Sequence, residues 1–426
     1  MSPDTIAVIM LLGIFLVLLF CRVSVAVSMG IASIAVILYL GQPLELVVQY
    51  TVGGVNVFTF LAVPFFILGG EIINQGGISD RLIAFADALI GWVHGGAAMV
   101  NVVASMFFGG ISGSATADIA ALGPIEIKLM ESQGFSKDFS IGLTCATSVQ
   151  GMLIPPSHNL VIYAVSAGSV SVGALFLAGL PAGIFLGAVL GLYSYIYARR
   201  HGYASGQKFS LARIWKTFLS AFGGLMTIVI IVVGVAGGMM TATESAAVAA
   251  LWSFICAFFI YRDVKLPQYY KIATAAIKML STILILLAIA NTFGWIVAYL
   301  RIPSKVAAAV LSLTSNKYLI LIIINFLLLF LGCIMSISSI LVILTPILVP
   351  ILTALDYSLV QFGIVMILNL GIGLLTPPVG AALYVGSAVS GLSVGRTAKA
   401  LAPFYALMVI TLLALTFIPE LTTMFL

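Results

Sequence analysis

Apolar residues run along this chain in blocks near 5–20, 24–40, 54–73, 139–165, 175–198, 218–238, 243–261, 279–300, 318–351, 361–389 and 402–419. A helix needs about 20 predominantly apolar residues to cross a bilayer, so most of these blocks predict a span. Several are too long or too interrupted for one helix, notably 318–351, and the stretch from Arg81 to Lys128 is mixed in character. The first block starts with Asp4 rather than a basic cluster, and no small-residue cleavage site precedes a soluble domain, so it predicts a first span rather than a leader.

Composition agrees with the pattern. The chain has 426 residues, 62% of them hydrophobic and 7% charged, against about 25% charged in a soluble domain. That excludes a water-soluble fold and leaves room for roughly a dozen spans with short connections. Its 41 glycines and 15 prolines predict broken or closely packed helices. The cysteines Cys21, Cys145, Cys256 and Cys333 stand singly without metal-ligand spacing and read as small packing residues. The net charge of +5 belongs to loops and topology, not to nucleic-acid binding.

Basic residues gather at Arg199, Arg200, Lys208, Arg213 and Lys216, and again at Arg262, Lys265, Lys271 and Lys278. Two apolar blocks separate the groups, so both face one side, the cytoplasm by the positive-inside rule. With Arg22, Arg396 and Lys399 also inside, both termini are expected outside. Arg301, Lys305 and Lys317 do not follow this scheme.

Comparing the chain with itself exposes a duplication. Pro124 matches Pro346, Gly151 matches Gly373, Pro155-Pro156 match Pro377-Pro378, Ser171-Val172-Gly173 match Ser393-Val394-Gly395, and Pro181 matches Pro403, each pair 222 residues apart. The loop at 126–138 carries Lys128 and Lys137 while its counterpart at 348–360 carries Asp356; the segment at 167–180 is uncharged while its counterpart at 389–402 carries Arg396 and Lys399. Equivalent loops therefore face opposite sides. This predicts an all-α polytopic membrane protein with an inverted-topology repeat, whose halves surround a midplane site and suit alternating access.

Two stretches are polar where their neighbours are apolar: Gly109 to Asp118, and Gly332 to Ser339. Each fits a re-entrant hairpin, in which two half-helices meet at mid-membrane and Gly and Ser relieve the broken backbone. Hydroxyls and free carbonyls at the tips are hard oxygen ligands suited to an alkali cation, and the half-helix N-terminus suits an anionic group. Thr147 to Ser157 and Asn369 to Gly380, each interrupted by paired prolines, are the expected partners of the tips. Asp118 is a carboxylate at depth, and such groups are usually functional. Glu244 in Thr241-Ala242-Thr243-Glu244 reads as a helix cap. Glu71, Asn291 and Trp295 read as interhelical or interfacial contacts, and His94 and His201 as loop or interface residues.

The run Gly109 to Pro124 and the breaks Leu153-Ile154-Pro155-Pro156-Ser157 and Leu375-Thr376-Pro377-Pro378-Val379-Gly380, with Phe65 to Gly70, give the chain a family likeness. It resembles, over essentially its whole length, the large membrane subunit of tripartite ATP-independent periplasmic (TRAP) transporters. The resemblance implies an elevator-type, sodium-driven symporter and family substrates such as C4-dicarboxylates, other carboxylates and sialic acid. It also implies a small four-helix membrane subunit and a soluble periplasmic substrate-binding protein. Under it, scaffold helices lie at 1–95 and 200–317, and the transport unit at 96–199 and 318–426. At least two Na+ ions, and no organic cofactor, are then expected. Their ligands would come from Ser112, Gly113, Ser114, Thr116, Gly151 and Pro155 at the first tip, and Gly332, Ser336, Ser338, Ser339, Gly373, Thr376 and Gly380 at the second. Substrate would touch Ser114, Asp118, Ser157, His158, Pro377 and Pro378.

Other readings compete. Gly110-Ile111-Ser112-Gly113 matches a short pattern of intramembrane serine proteases, with His158 as an imaginable base. An ion channel could use the same oxygen-lined tips. A primary pump is disfavoured, because the chain has no Walker A sequence and no Gly followed by Lys.

Overall fold

The computed structural model describes residues 3–21, 23–203, 206, 208–264, 266–313 and 316–425. Arg22 and Lys265, used above in the charge argument, lie outside the described residues. Among the described residues the chain is helical, with no β-strand. Among the described residues seven helices are long and apolar enough to cross a membrane, and a bent pair makes an eighth. The count falls below a dozen because other apolar blocks are divided into shorter helices.

The first unit contains α1 (Pro3–Phe20), α2 (Val25–Tyr39), α3 (Glu45–Val55), α4 (Ala62–Gln75) and α5 (Ile78–Ile90). A hairpin follows, formed by α6 (Gly96–Ser112), α7 (Ala115–Ala121) and α8 (Gly123–Ser132). Next come a broken helix, α9 (Lys137–Leu153) and α10 (His158–Ala167), and the long α11 (Val172–Arg200). The second half repeats the plan: α12 (Leu211–Ala236), α13 (Ala242–Ile255), α14 (Leu266–Tyr299) and α15 (Ile302–Leu313), then the hairpin α16 (Lys317–Gly332) and α17 (Ile337–Ala354). It closes with the broken helix α18 (Leu359–Leu375) and α19 (Ala381–Ser390), then α20 (Val394–Ala400), α21 (Ala402–Phe417) and α22 (Glu420–Thr423). The apolar block at 318–351 is thus two helices meeting at a polar turn.

Helix starts carry the duplication most clearly. The hydroxyls of Ser114, Ser136 and Ser171 accept from the backbone N–H of Ala117, Phe139 and Ala174 at 3.4, 3.2 and 3.4 Å. Ser336, Ser358 and Ser393 do the same for Ser339, Gln361 and Arg396 at 3.4, 3.3 and 3.4 Å. Each serine stands 222 residues from its counterpart. A serine here satisfies one of the N–H groups that a helix start leaves unpaired. The prolines diverge. Pro124 lies in the first turn of α8, whereas its match Pro346 sits inside the continuous α17. Conversely, α11 continues past Pro181, while the matching Pro403 opens α21, bent 54° from α20.

The halves interlock reciprocally. Gly386 of α19 packs on Ile141 and Cys145 of α9, and Gly363 of α18 packs on Tyr163 of α10. Each broken helix therefore lays its second arm on the first arm of the other, as a two-fold relation requires. Arg396 donates to Asp138 at 2.7 and 3.0 Å, bringing the start of α20 to the start of α9. Lys317 bonds the Asp356 carbonyl at 2.9 Å, which ties it to the face of the 348–360 loop. These pairings join non-equivalent loops of the repeat, as inversion demands.

The largest apolar core is built around α9, α11 and α18. A second joins α1, α2 and α14, and a third joins α5, α6 and α12. Asn291 donates to the Tyr50 carbonyl at 2.7 Å and Trp295 stacks on the Tyr50 ring, so both are interhelical contacts. Thr241 and Glu244 form a capping box at the start of α13. Phe85 of α5 packs on both Phe107 and Phe218, so a boundary drawn at 95/96 crosses a packed aromatic cluster.

Candidate functional site

Close backbone approach builds both tips. A Cβ on Gly109 would stand 2.0 Å from the Gly151 Cα, and one on Gly373 would stand 2.7 Å from Gly332. Glycine on both helices lets the first hairpin arm touch the helix before the break, just behind each turn. Gly113 ends α6 at φ +60°, and a Cβ there would meet the Pro156 carbonyl oxygen at 3.0 Å and Ser157 Cα at 3.1 Å. The first tip therefore lies against the first break. At the second, the Val379 N–H donates to the Cys333 carbonyl at 3.3 Å. Pro155-Pro156 and Pro377-Pro378 are both cis.

Two cavities meet the tips. The first, about 250 Å³, is lined by Ser112, Ser114 and Thr116 of the hairpin, Glu71 and Asn74 of α4, and Met279 of α14. The hydroxyls of Ser114 and Thr116 lie 3.1 Å apart, and Ser112 Oγ accepts from the Ser114 N–H at 3.4 Å. The second cavity, about 590 Å³, is lined by Ser336, Ser338, Ser339 and His158, with Ser24, Val25, Ala26 and α14 residues from Met279 to Leu286 opposite. Met279 borders both cavities. The hydroxyls of Ser336 and Ser339 are 2.6 Å apart.

Behind the first tip runs a buried polar chain. Ser105 donates to Asp118 Oδ1 at 3.2 Å and approaches Thr147 at 3.3 Å; Thr147 donates to Asn101 Oδ1 at 2.7 Å. Asn101 Nδ2 reaches Glu126 Oε2 at 2.8 Å and Thr144 at 2.7 Å. Asp118 is fully buried and Glu126 nearly so, and neither forms an ion pair among the described residues. One oxygen of each, Asp118 Oδ2 and Glu126 Oε1, has no hydrogen-bond partner among the described residues. The second half carries a different polar pair: Asn369 stands at the Thr147 position, but the Asn101 position holds Ile323. Asn369 Nδ2 donates to Asn325 Oδ1 at 2.9 Å, and apolar Ile340 and Leu348 stand where the repeat would place the carboxyls.

The expected site residues thus divide. Ser112, Ser114 and Thr116 gather at one cavity, and Ser336, Ser338, Ser339 and His158 at the other. Gly113, Gly151 and Pro155 form the packed junction behind the first tip, as Gly332 and Gly373 do behind the second. Thr376 Oγ1 is bonded to the Ile372 carbonyl at 2.8 Å, and Gly380 starts α19 at φ +35°. Asp118, expected to touch substrate, lines neither cavity; its carboxylate ties the two hairpin arms through Ser105. Ser157 is fully buried with a hydroxyl that has no partner among the described residues, and Pro377 and Pro378 are exposed; none of the three lines either cavity. Ser112 and His158 face different cavities and share no hydrogen bond, so the nucleophile–base pair of the protease alternative is not formed.

Sequence reasoning missed Asn101, Ser105 and Glu126. The signal available was two polar residues four apart on one face of an otherwise apolar helix. Glu71 was expected only as an interhelical or interfacial contact. Glu71 does bond Gln75 at 3.1 Å, but it faces the first tip across the cavity.

Known proteins share this architecture and sequence. Residues 12–421 match the DctM component of the tripartite ATP-independent periplasmic transporter family. The chain is 37% identical over 97% of its length to the isethionate TRAP transporter permease protein DctMQ of Oleidesulfovibrio alaskensis, spanning 66% of that protein. It is also 37% identical to the sialic acid TRAP transporter large permease protein SiaM of Vibrio cholerae, over 95% of each chain. The YdaH transporter of Alcanivorax borkumensis has the same fold, with a TM-score of 0.63 at 14% identity over 87% of this chain and 86% of that one. The paired hairpins, the paired proline breaks and this sequence match identify a multi-pass membrane protein that belongs to the family of TRAP transporter large permease (DctM) components.

Proposed function

We propose that this chain is the ion- and substrate-carrying subunit of a sodium-coupled symporter importing a small organic acid. The observation that carries the reading is the pair of hairpin tips, each backed by a glycine–glycine crossing and a proline break, each opening on a cavity that also borders α14. Sodium binds at the first tip, using Ser112, Ser114 and Thr116 with carbonyls around Gly151 and Pro155. A second ion binds around Ser336, Ser338 and Ser339 with carbonyls near Gly373 and Thr376. Asp118 supports the first site by holding the hairpin arms together rather than by touching substrate. The names of the relatives, which include a sialic acid and an isethionate permease, support an organic anion as cargo.

The unit of 96–199 and 318–426 moves as an elevator against the scaffold of 1–95 and 200–317. A small four-helix membrane subunit completes the scaffold, and a periplasmic binding protein delivers substrate; the name DctMQ supports an association between large and small components. The assembly resides in the bacterial inner membrane with both termini of this chain periplasmic. The test is uptake into liposomes holding this chain, its small subunit and the binding protein. Uptake is expected only with an inward sodium gradient; uptake unchanged without the gradient would end the coupling claim.

A further inference from the structure

The two cavities differ in charge and polarity in a way that selects among organic acids. At the second tip, the α17 and α10 N-termini converge. Ser336 accepts from the Ser339 N–H, which leaves the earlier N–H groups of α17 without intrahelical partners. His158 begins α10, is 6% exposed, and its ring makes no hydrogen bond to any described residue, although it borders the cavity. Its ring nitrogens are not sealed from the cavity and are open to a bound ligand. The opposite wall is mostly aliphatic, from Val25, Ala26, Ile283 and Leu286, with two neutral hydroxyl residues, Ser24 and Thr282, and no charged side chain. Past Met279 the first cavity presents Glu71, and among the described residues no Lys or Arg lines either cavity.

We infer that the cargo is an organic acid with one anionic head and an apolar body, the head bound by the second tip and His158. The volume of about 590 Å³ lies within the range of roughly 300–1,000 Å³ usual for single small ligands. One pole joins two helix N-termini and His158, while the wall opposite offers only two neutral hydroxyl residues, so the site satisfies a single anionic group. A second carboxylate on the same molecule meets either the mostly aliphatic wall, where two neutral hydroxyls only partly replace its hydration, or Glu71, where it meets like charge. A sodium ion behind the second tip adds positive charge beside the head and favours joint occupancy. This inference rests on the transporter reading proposed above.

The test uses the complex of this chain with its small subunit in lipid nanodiscs, in sodium buffer. Straight-chain and aromatic monocarboxylates of four to eight carbons are compared with their dicarboxylate counterparts, by dose-dependent shifts of the unfolding midpoint. At least one monocarboxylate is expected to bind saturably, with its dicarboxylate at least tenfold weaker. His158→Ala should weaken that monocarboxylate about tenfold and His158→Gln should recover part of the loss. Glu71→Gln, remote from the head group, should narrow the ratio between the mono- and dicarboxylate. A dicarboxylate binding as tightly as its monocarboxylate, no monocarboxylate binding at all, undiminished monocarboxylate affinity in His158→Ala, or an unchanged ratio in Glu71→Gln would overturn the inference. A preferred dicarboxylate would leave the transporter reading standing, whereas failure of every acid to enter liposomes down a sodium gradient would remove that reading instead.

Discussion

Gly109 and Gly151 hold the first hairpin against its partner helix by having no side chains. A methyl group on Gly109 would overlap the Gly151 backbone, and the neighbour that must give is main chain rather than a flexible side chain. Overpacking of this kind costs about 1–3 kcal/mol. Gly109→Ala should therefore lower the unfolding midpoint, while Gly294→Ala, which meets nothing within 4 Å, should leave it nearly unchanged. Equal midpoints for the two variants would show that the crossing carries no special constraint. Asp118 teaches a complementary lesson. This carboxylate at depth ties the two hairpin arms through Ser105 and lines neither tip cavity.

The hairpins depend on capped half-helices, and two of the tip serines serve cavity and cap together. Ser114 caps α7 and lines the first cavity; Ser336 caps α17 and lines the second. Ser338 lines the second without capping. Replacing Ser114 and Ser338 together by Ala should weaken apparent sodium affinity about tenfold, since a hydrogen bond or ligand to a charged group contributes about 1.5–3 kcal/mol. Ser393→Ala is the control. It removes the cap of α20, away from both cavities, and should cost about 1 kcal/mol of stability with sodium affinity unaltered. If the double variant behaves like the control, the ions bind elsewhere.

An elevator requires the hairpin unit to slide past the scaffold as one body. Ser24 of the segment before α2 and Ser338 of the second tip line the same cavity from opposite sides. After the native cysteines are replaced, Ser24→Cys with Ser338→Cys should be bridged by a bifunctional thiol reagent, and bridging should stop uptake reversibly. Asp138→Cys with Arg396→Cys joins two positions already paired within the hairpin unit, so bridging there should leave transport intact. Transport that survives a complete Ser24–Ser338 bridge would exclude relative motion of the two parts.

Membrane residence, the duplication, the inversion and the position of both tips were legible in the sequence, because each is written locally or at a constant offset. Apolar blocks report burial in lipid; Ser114 and Ser336, or Gly151 and Gly373, report two copies of one plan. Pairings between distant segments were not legible. That Asn101 reaches Glu126, that Glu71 of α4 faces the first tip, and that Met279 stands between two cavities follow from how rigid helices rotate and cross. Helix periodicity says which residues share a face, but only packing says what that face meets. The tertiary structure therefore decided which polar groups border a cavity and which are sealed behind it.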